Sequence, residues 1–273
     1  MICRHSLLLA SVRPFTISSL APTPSRIEAM TDLSEASAKE FAATLLPRYH
    51  GPTVKIRISS SDHEYEISKH LLCQESTYFT AMFEGNFAEG EQQVATVEEV
   101  EGVVSVRSFE ALIQWIYLRR TQFDSASPED QISATIELVR LADMCNITGI
   151  ESQMARYIKD VLIANPDPRC DGFFLRHIDT NTYCLTRQHI IWASFLPPGH
   201  LVRRILAAAS VEGYLRDENY KFLQETHEHP TFGADLLQEV RSTLSRIESA
   251  QRKTTFEDPI SGMKLSINSG SDF

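Results

Sequence analysis

Chemistry in this chain would have to come from a handful of places. Glu225-Thr226-His227-Glu228-His229-Pro230 sets two imidazoles and two carboxylates within six residues, donor types that zinc accepts. The competing reading is a solvated helix end stopped by Pro230, because no third ligand stands at a second defined spacing. His70 and Cys73 are spaced i and i+3, which could join a base to a thiol or place both on the core-facing side of one helix. Cys184 is the second thiol that could serve as a nucleophile. There is no Gly-x-Ser-x-Gly, His-Glu-x-x-His or phosphate loop, so no nucleophile acquires a base and no catalytic, cofactor or metal residue is assigned. Phe87-Ala88-Glu89 suggests recognition instead: an exposed aromatic can fill an apolar pocket while a nearby carboxylate meets a donor. Phe87 could also fold back onto the core.

The elements that must carry these residues follow from periodicity. Ser37-Ala38-Lys39-Glu40 has capping-box spacing and opens a short helix through Phe41, Leu45 and Leu46. After Gly51-Pro52, the residues Val54, Ile56 and Ile58 alternate with Lys55 and Arg57, as in a strand with one dry face. Glu64 to Ile67 supplies an antiparallel partner. Ser76 caps a helix bearing Phe79, Met82 and Phe83, and Val94 to Val97 reads as a third strand. Behind Ser108, the residues Phe109, Leu112, Ile113, Ile116 and Tyr117 mark the clearest amphipathic helix. Ser127-Pro128-Glu129-Asp130 starts the next one, and Thr148-Gly149-Ile150-Glu151 has the spacing of a capping box for a helix to about Ala164. Asn165-Pro166-Asp167-Pro168 cannot continue it. Further helices are expected at Leu201 to Ala209 and Leu236 to Ile247, and the polar stretch from Gln251 reads as a mobile or partly docked tail.

Charge and composition remove several function classes. The net charge of −10 would repel a nucleic-acid backbone, and Arg119-Arg120 and Arg203-Arg204 read as surface or helix-end charges rather than a basic patch. Five scattered cysteines without a Cys-x-x-Cys pair point to a reducing compartment rather than a disulfide framework or zinc finger. No apolar run approaches the ~20 residues that span a bilayer. Residues 1–27 contain Arg4, Arg13 and Arg26, no acid, and Leu7-Leu8-Leu9, the composition of a mitochondrial presequence. The alternative is a start at Met30 with an upstream leader that plays no part in the fold.

The element order, with His70 and Leu72 on the first short helix, Ser76, Tyr78, Phe79, Ala81, Met82 and Phe83 on the second, and Phe109, Leu112 and Tyr117 on a later one, resembles the BTB/POZ domain over about residues 50–163. The resemblance implies an α+β fold, a small sheet flanked by a helical cluster, here followed by a mainly α-helical C-terminal region. It implies protein association rather than catalysis. Phe87-Ala88-Glu89 is similar to the hydrophobic-x-Glu motif that some members present to a cullin-type ubiquitin ligase scaffold. Members commonly have an Asp at the start of the first strand, lining a dimer interface; this chain has Thr53 there. With no further recognised domain following, the chain is similar to the stand-alone BTB proteins of fungi.

The resulting expectation is a leader over 1–33, an N-terminal helix over 34–49, a BTB/POZ domain over 50–164, a helical domain over 165–250 and a flexible tail over 251–273. The protein would be a self-associating adaptor or scaffold in the cytoplasm or nucleus, with no nucleic-acid or membrane partner. Thr53, Val54, Ile56, His70 and Leu71 would line the homodimer, because the apolar residues around Val54 to Ile58 and Leu71-Leu72 exceed what one thin layer should hide. The alternatives are a substrate receptor of a cullin-type ligase, with Phe87 and Glu89 as the contact, and a cysteine-dependent enzyme using Cys73 or Cys184.

Overall fold

The computed structural model describes residues 49–59, 61, 63–168, 179–217, 219–250 and 253–267. The expected leader and the helix over 37–46 lie outside these residues. The first unit is a three-stranded sheet of β1 (Thr53–Ile58), β2 (Glu64–Ser68) and β3 (Val94–Val97) in the order β2-β1-β3. β1 pairs antiparallel to β2 with Val54 opposite Ile67, and parallel to β3 with Ile56 opposite Ala95. Alternation along β1 does what its period demands: Val54, Ile56 and Ile58 are fully buried, while Lys55 and Arg57 reach across the outer face to Glu64.

Between β2 and β3 the chain makes α1 (Lys69–Glu75), α2 (Thr77–Glu84) and α3 (Ala88–Gln92). Ser68 caps α1 by accepting the Leu71 N–H. After β3 come α4 (Val106–Leu118), α5 (Pro128–Met144) and α6 (Glu151–Ala164). Two cap assignments change. The α4 box is closed by Ser105 and Ser108, so Ser108 is the third helical residue and not the cap. At α6 no side chain caps the helix; Glu151 instead accepts the Gly149 N–H at 2.8 Å, leaving Thr148 outside the motif.

The Pro166 to Pro168 break ends α6 but not the core. α7 (Arg187–Ser194) packs on α5, and α8 (Leu201–Ala209) packs on α6. The buried residues Ile190, Val202, Leu206 and Ala207 belong to the same apolar cluster as Val54 and Phe109. Then follow α9 (Val211–Arg216), α10 (Leu223–Glu228) and α11 (Pro230–Leu244), the last beginning six residues before the expected Leu236 because Pro230 is pre-set for the first helical turn. Of the expected flexible tail, residues 253–267 are described, and they are structured. β4 (Glu248–Ala250), β5 (Lys253–Glu257) and β6 (Lys264–Ser266) form an antiparallel sheet, and Phe256 and Ile260 are buried at 1% and 2% exposure. Those few apolar side chains are enough to dock a polar segment.

Candidate functional site

Ser76 fixes the start of α2 from two sides. Its Oγ accepts the Phe79 N–H at 3.1 Å and donates to the Cys145 carbonyl at 2.6 Å, tying α2 to the end of α5. Phe79 and Phe83 then point inward and stack at 6.4 Å, so the remaining turn of the helix leaves Tyr78 on the outside. Burial pushes the Tyr78 hydroxyl pKa up, with smaller contributions from Cys145 and Glu89.

Gly85 ends α2, and α3 turns back on it so closely that a β-carbon at Gly90 would stand 2.5 Å from the Gly85 carbonyl oxygen. Gln93, in the left-handed region at φ 55°, holds the turn by donating its side-chain amide to the carbonyls of Phe83 and Gly90. The Phe87 ring lies along the edge of this turn, where a β-carbon at Gly85 would stand 3.1 Å from its Cδ2. Phe87 occupies the cap position of α3, its carbonyl receiving the N–H groups of Gly90 and Glu91, and its side chain is 60% exposed. Glu89 sits half-buried in the first turn of α3, where a carboxylate suits the helix's positive end. An exposed aromatic held on a rigid corner, with an acid beside it, is equipped to dock another protein.

The five residues expected at a dimer interface separate. Val54 and Ile56 are fully buried and Leu71 is 7% exposed, all within this chain's own core. Only Thr53 and His70 face solvent, and the Thr53 hydroxyl donates to Glu66 at 2.6 Å. The apolar excess read from sequence is covered by the α1 to α6 cluster and not left for a second copy. His70, expected to face the core with Cys73, is exposed, whereas Cys73 is half-buried with its thiol directed at the Phe79 carbonyl.

The remaining candidates are accounted for by other contacts. Glu225 and Glu228 both turn to Arg187, with Glu225 at 3.0 Å from its Nε. Among the described residues no group of three or more His, Cys, Asp or Glu side chains could hold a metal ion. The thiols of Cys73 and Cys184 have pKa values raised above the ordinary range, primarily by burial, and that of Cys145 is pushed up to about 12. A raised thiol pKa removes the thiolate that a nucleophile needs. No described helix is long and apolar enough to cross a membrane.

Sequence reasoning missed one pair with catalytic residue types. Ser133 Oγ lies 2.8 Å from His189 Nε2. The imidazole Nδ1 accepts the Thr186 N–H at 3.1 Å, so the proton of the neutral ring is on Nε2 and is directed at the Ser133 oxygen. A ring in that tautomer cannot take the serine proton. The pair fastens α7 to α5, and no motif spacing could have revealed residues so far apart in sequence.

Compared with known families, residues 29–162 match the family model of the BTB/POZ domain. No curated protein matches the chain.

Proposed function

Because the chain carries a BTB/POZ domain, a protein-interaction fold, we propose that it works as an adaptor whose Phe87–Glu89 corner docks a cullin-type ubiquitin ligase scaffold. The observation that carries this reading is the 60% exposure of Phe87 at the start of α3, with Glu89 two residues on. Covering a phenylalanine ring on binding is worth roughly 2 kcal/mol or more, enough for one side chain to decide an interface. The helices after Pro168 would then supply the recruiting part of the adaptor, working in the cytoplasm or nucleus.

Self-association draws less support, since its candidate residues reduce to the polar Thr53 and His70, and a stable dimer interface needs an apolar centre. The test is co-purification of the full chain with a cullin, wild type against the Phe87→Ala, Glu89→Ala double variant, with thermal unfolding as a fold control. Loss of the cullin at unchanged melting temperature supports the reading; equal recovery removes it.

A further inference from the structure

We propose that the surface where the 98–104 loop, α5 and α7 meet is a second docking face, for a basic partner segment that carries an apolar side chain. It goes beyond the Phe87 corner and does not depend on it.

The face is built, not incidental. Phe195, at the C-terminal end of α7, is 67% exposed, the largest fraction for any big apolar side chain among the described residues. One side of its ring is already occupied: the Arg140 guanidinium of α5 lies 5.1 Å from the ring centre. Arg140 also donates from Nη1 to the Gly102 carbonyl at 2.7 Å, and Gly102 lies directly against the Trp192 indole. Loop, α5 and α7 are thereby locked together beneath Phe195, which presents its open side from a fixed base. On the 98–104 loop, Val100 is 46% exposed although both its backbone groups are engaged with Val104.

Charge chooses the occupant. Glu98, Glu99 and Glu101 are exposed on the same loop, and none forms an ion pair among the described residues. Asp143 adds an exposed carboxylate one helical step from Arg140. Like charges carried on one short loop repel one another, and a cationic segment relieves the repulsion as it binds. Arg140, held by Gly102 and the inner side of Phe195, brings one positive charge against the four carboxylates of Glu98, Glu99, Glu101 and Asp143, so the face stays acidic. The open side of Phe195 can take a guanidinium in stacking contact or an aliphatic side chain in apolar contact. An arginine- and leucine-bearing segment satisfies both the rim and the ring.

The probe is a fluorescein-labelled hexapeptide of alternating arginine and leucine, titrated into the full chain by fluorescence anisotropy. Glutamate replaces arginine in a control peptide. Wild type should bind the basic peptide and not the acidic one, more weakly as salt is raised. Phe195→Ala, and separately the triple variant E98K/E99K/E101K, should each weaken binding by roughly tenfold or more. Phe195→Ala should retain whatever cullin capture the wild type shows, which separates this face from the Phe87 corner. Binding undiminished in either variant, no binding to wild type, or equal binding of the acidic peptide would overturn the proposal.

Discussion

Gly102 lies so close beneath Trp192 that a β-carbon there would stand 2.6 Å from Cε2 of the indole and 2.7 Å from Nη1 of Arg140. Its φ of 65° is also in the left-handed region. Space and backbone conformation thus both demand glycine at the point where the sheet-bearing unit meets the C-terminal helices. Gly102→Ala should cost at least ~1 kcal/mol from backbone strain alone, with displacement of the indole adding to it. Urea unfolding followed by tryptophan fluorescence reads both effects, and a variant with wild-type stability and emission would contradict the assignment.

His189 makes the same junction sensitive to acid. Burial lowers its pKa from 6.5 to about 4, so the neutral ring is the form the folded protein accommodates. The contribution is fully present above pH 6.5 and is lost as the pH falls through about 4, a change on the order of 3 kcal/mol. Asp179 acts in the opposite sense. Its pKa is raised from 3.8 to about 6, primarily by burial, so its contribution is fully present below pH 3.8 and is lost as the pH rises through about 6. Asp179→Asn should therefore raise stability at pH 7 by on the order of 2 kcal/mol and make the loss on acidification steeper. Denaturant titrations at pH 7 and pH 4.5 measure both quantities. A variant no more stable than wild type at pH 7 would show that the carboxylate is better solvated than its surroundings indicate.

The sheet and its helices were readable because their signals are local. Val54, Ile56 and Ile58 alternate, Val94–Val97 is β-rich, and Phe109 to Tyr117 repeats at helical spacing, each within one element. What escaped depends on distant partners. Whether Val54 and Leu71 are covered by helices or by a second copy cannot be read from their own neighbourhood, since a buried strand looks the same in both cases. Phe256 and Ile260 are too sparse to announce a sheet until α6 and Asn181 are seen to meet that segment, through Lys159 to the Pro259 carbonyl and Asn181 to Asp258. Phe87 was legible as a motif, whereas its 60% exposure could be read only once α3 was placed.

The thiols supply a test of the enzyme reading. Burial raises the pKa of Cys73 and Cys184 and takes that of Cys145 to about 12, so each is protonated at pH 7. A disulfide reagent added to native protein at pH 7 should label these three far more slowly than it labels the urea-unfolded chain, as followed by mass spectrometry of peptides. Rapid native labelling of Cys73 or Cys184 would reopen a cysteine-dependent activity.

Arg203 and Arg204 were expected as surface or helix-end charges; both lie in the first turn of α8, and only Arg204 is exposed. Arg203 is 5% exposed and spends its guanidinium on three partners: Asp235 Oδ2 at 2.7 Å, the Leu196 carbonyl at 2.8 Å and the Thr231 carbonyl at 3.2 Å. One arginine thus joins α8, the turn after α7 and the start of α11. Asp235→Asn leaves the guanidinium buried without its counter-charge and should cost ~3–5 kcal/mol, because the desolvation of the cation is no longer offset. The double variant Arg203→Met, Asp235→Leu removes both charges while keeping apolar bulk, and should be substantially more stable than Asp235→Asn alone. Thermal or urea unfolding of the two variants beside wild type gives the comparison. If Asp235→Asn cost less than ~1 kcal/mol, the pair would have to be regarded as a solvated surface bridge, and the burial on which this junction's specificity rests would be mistaken.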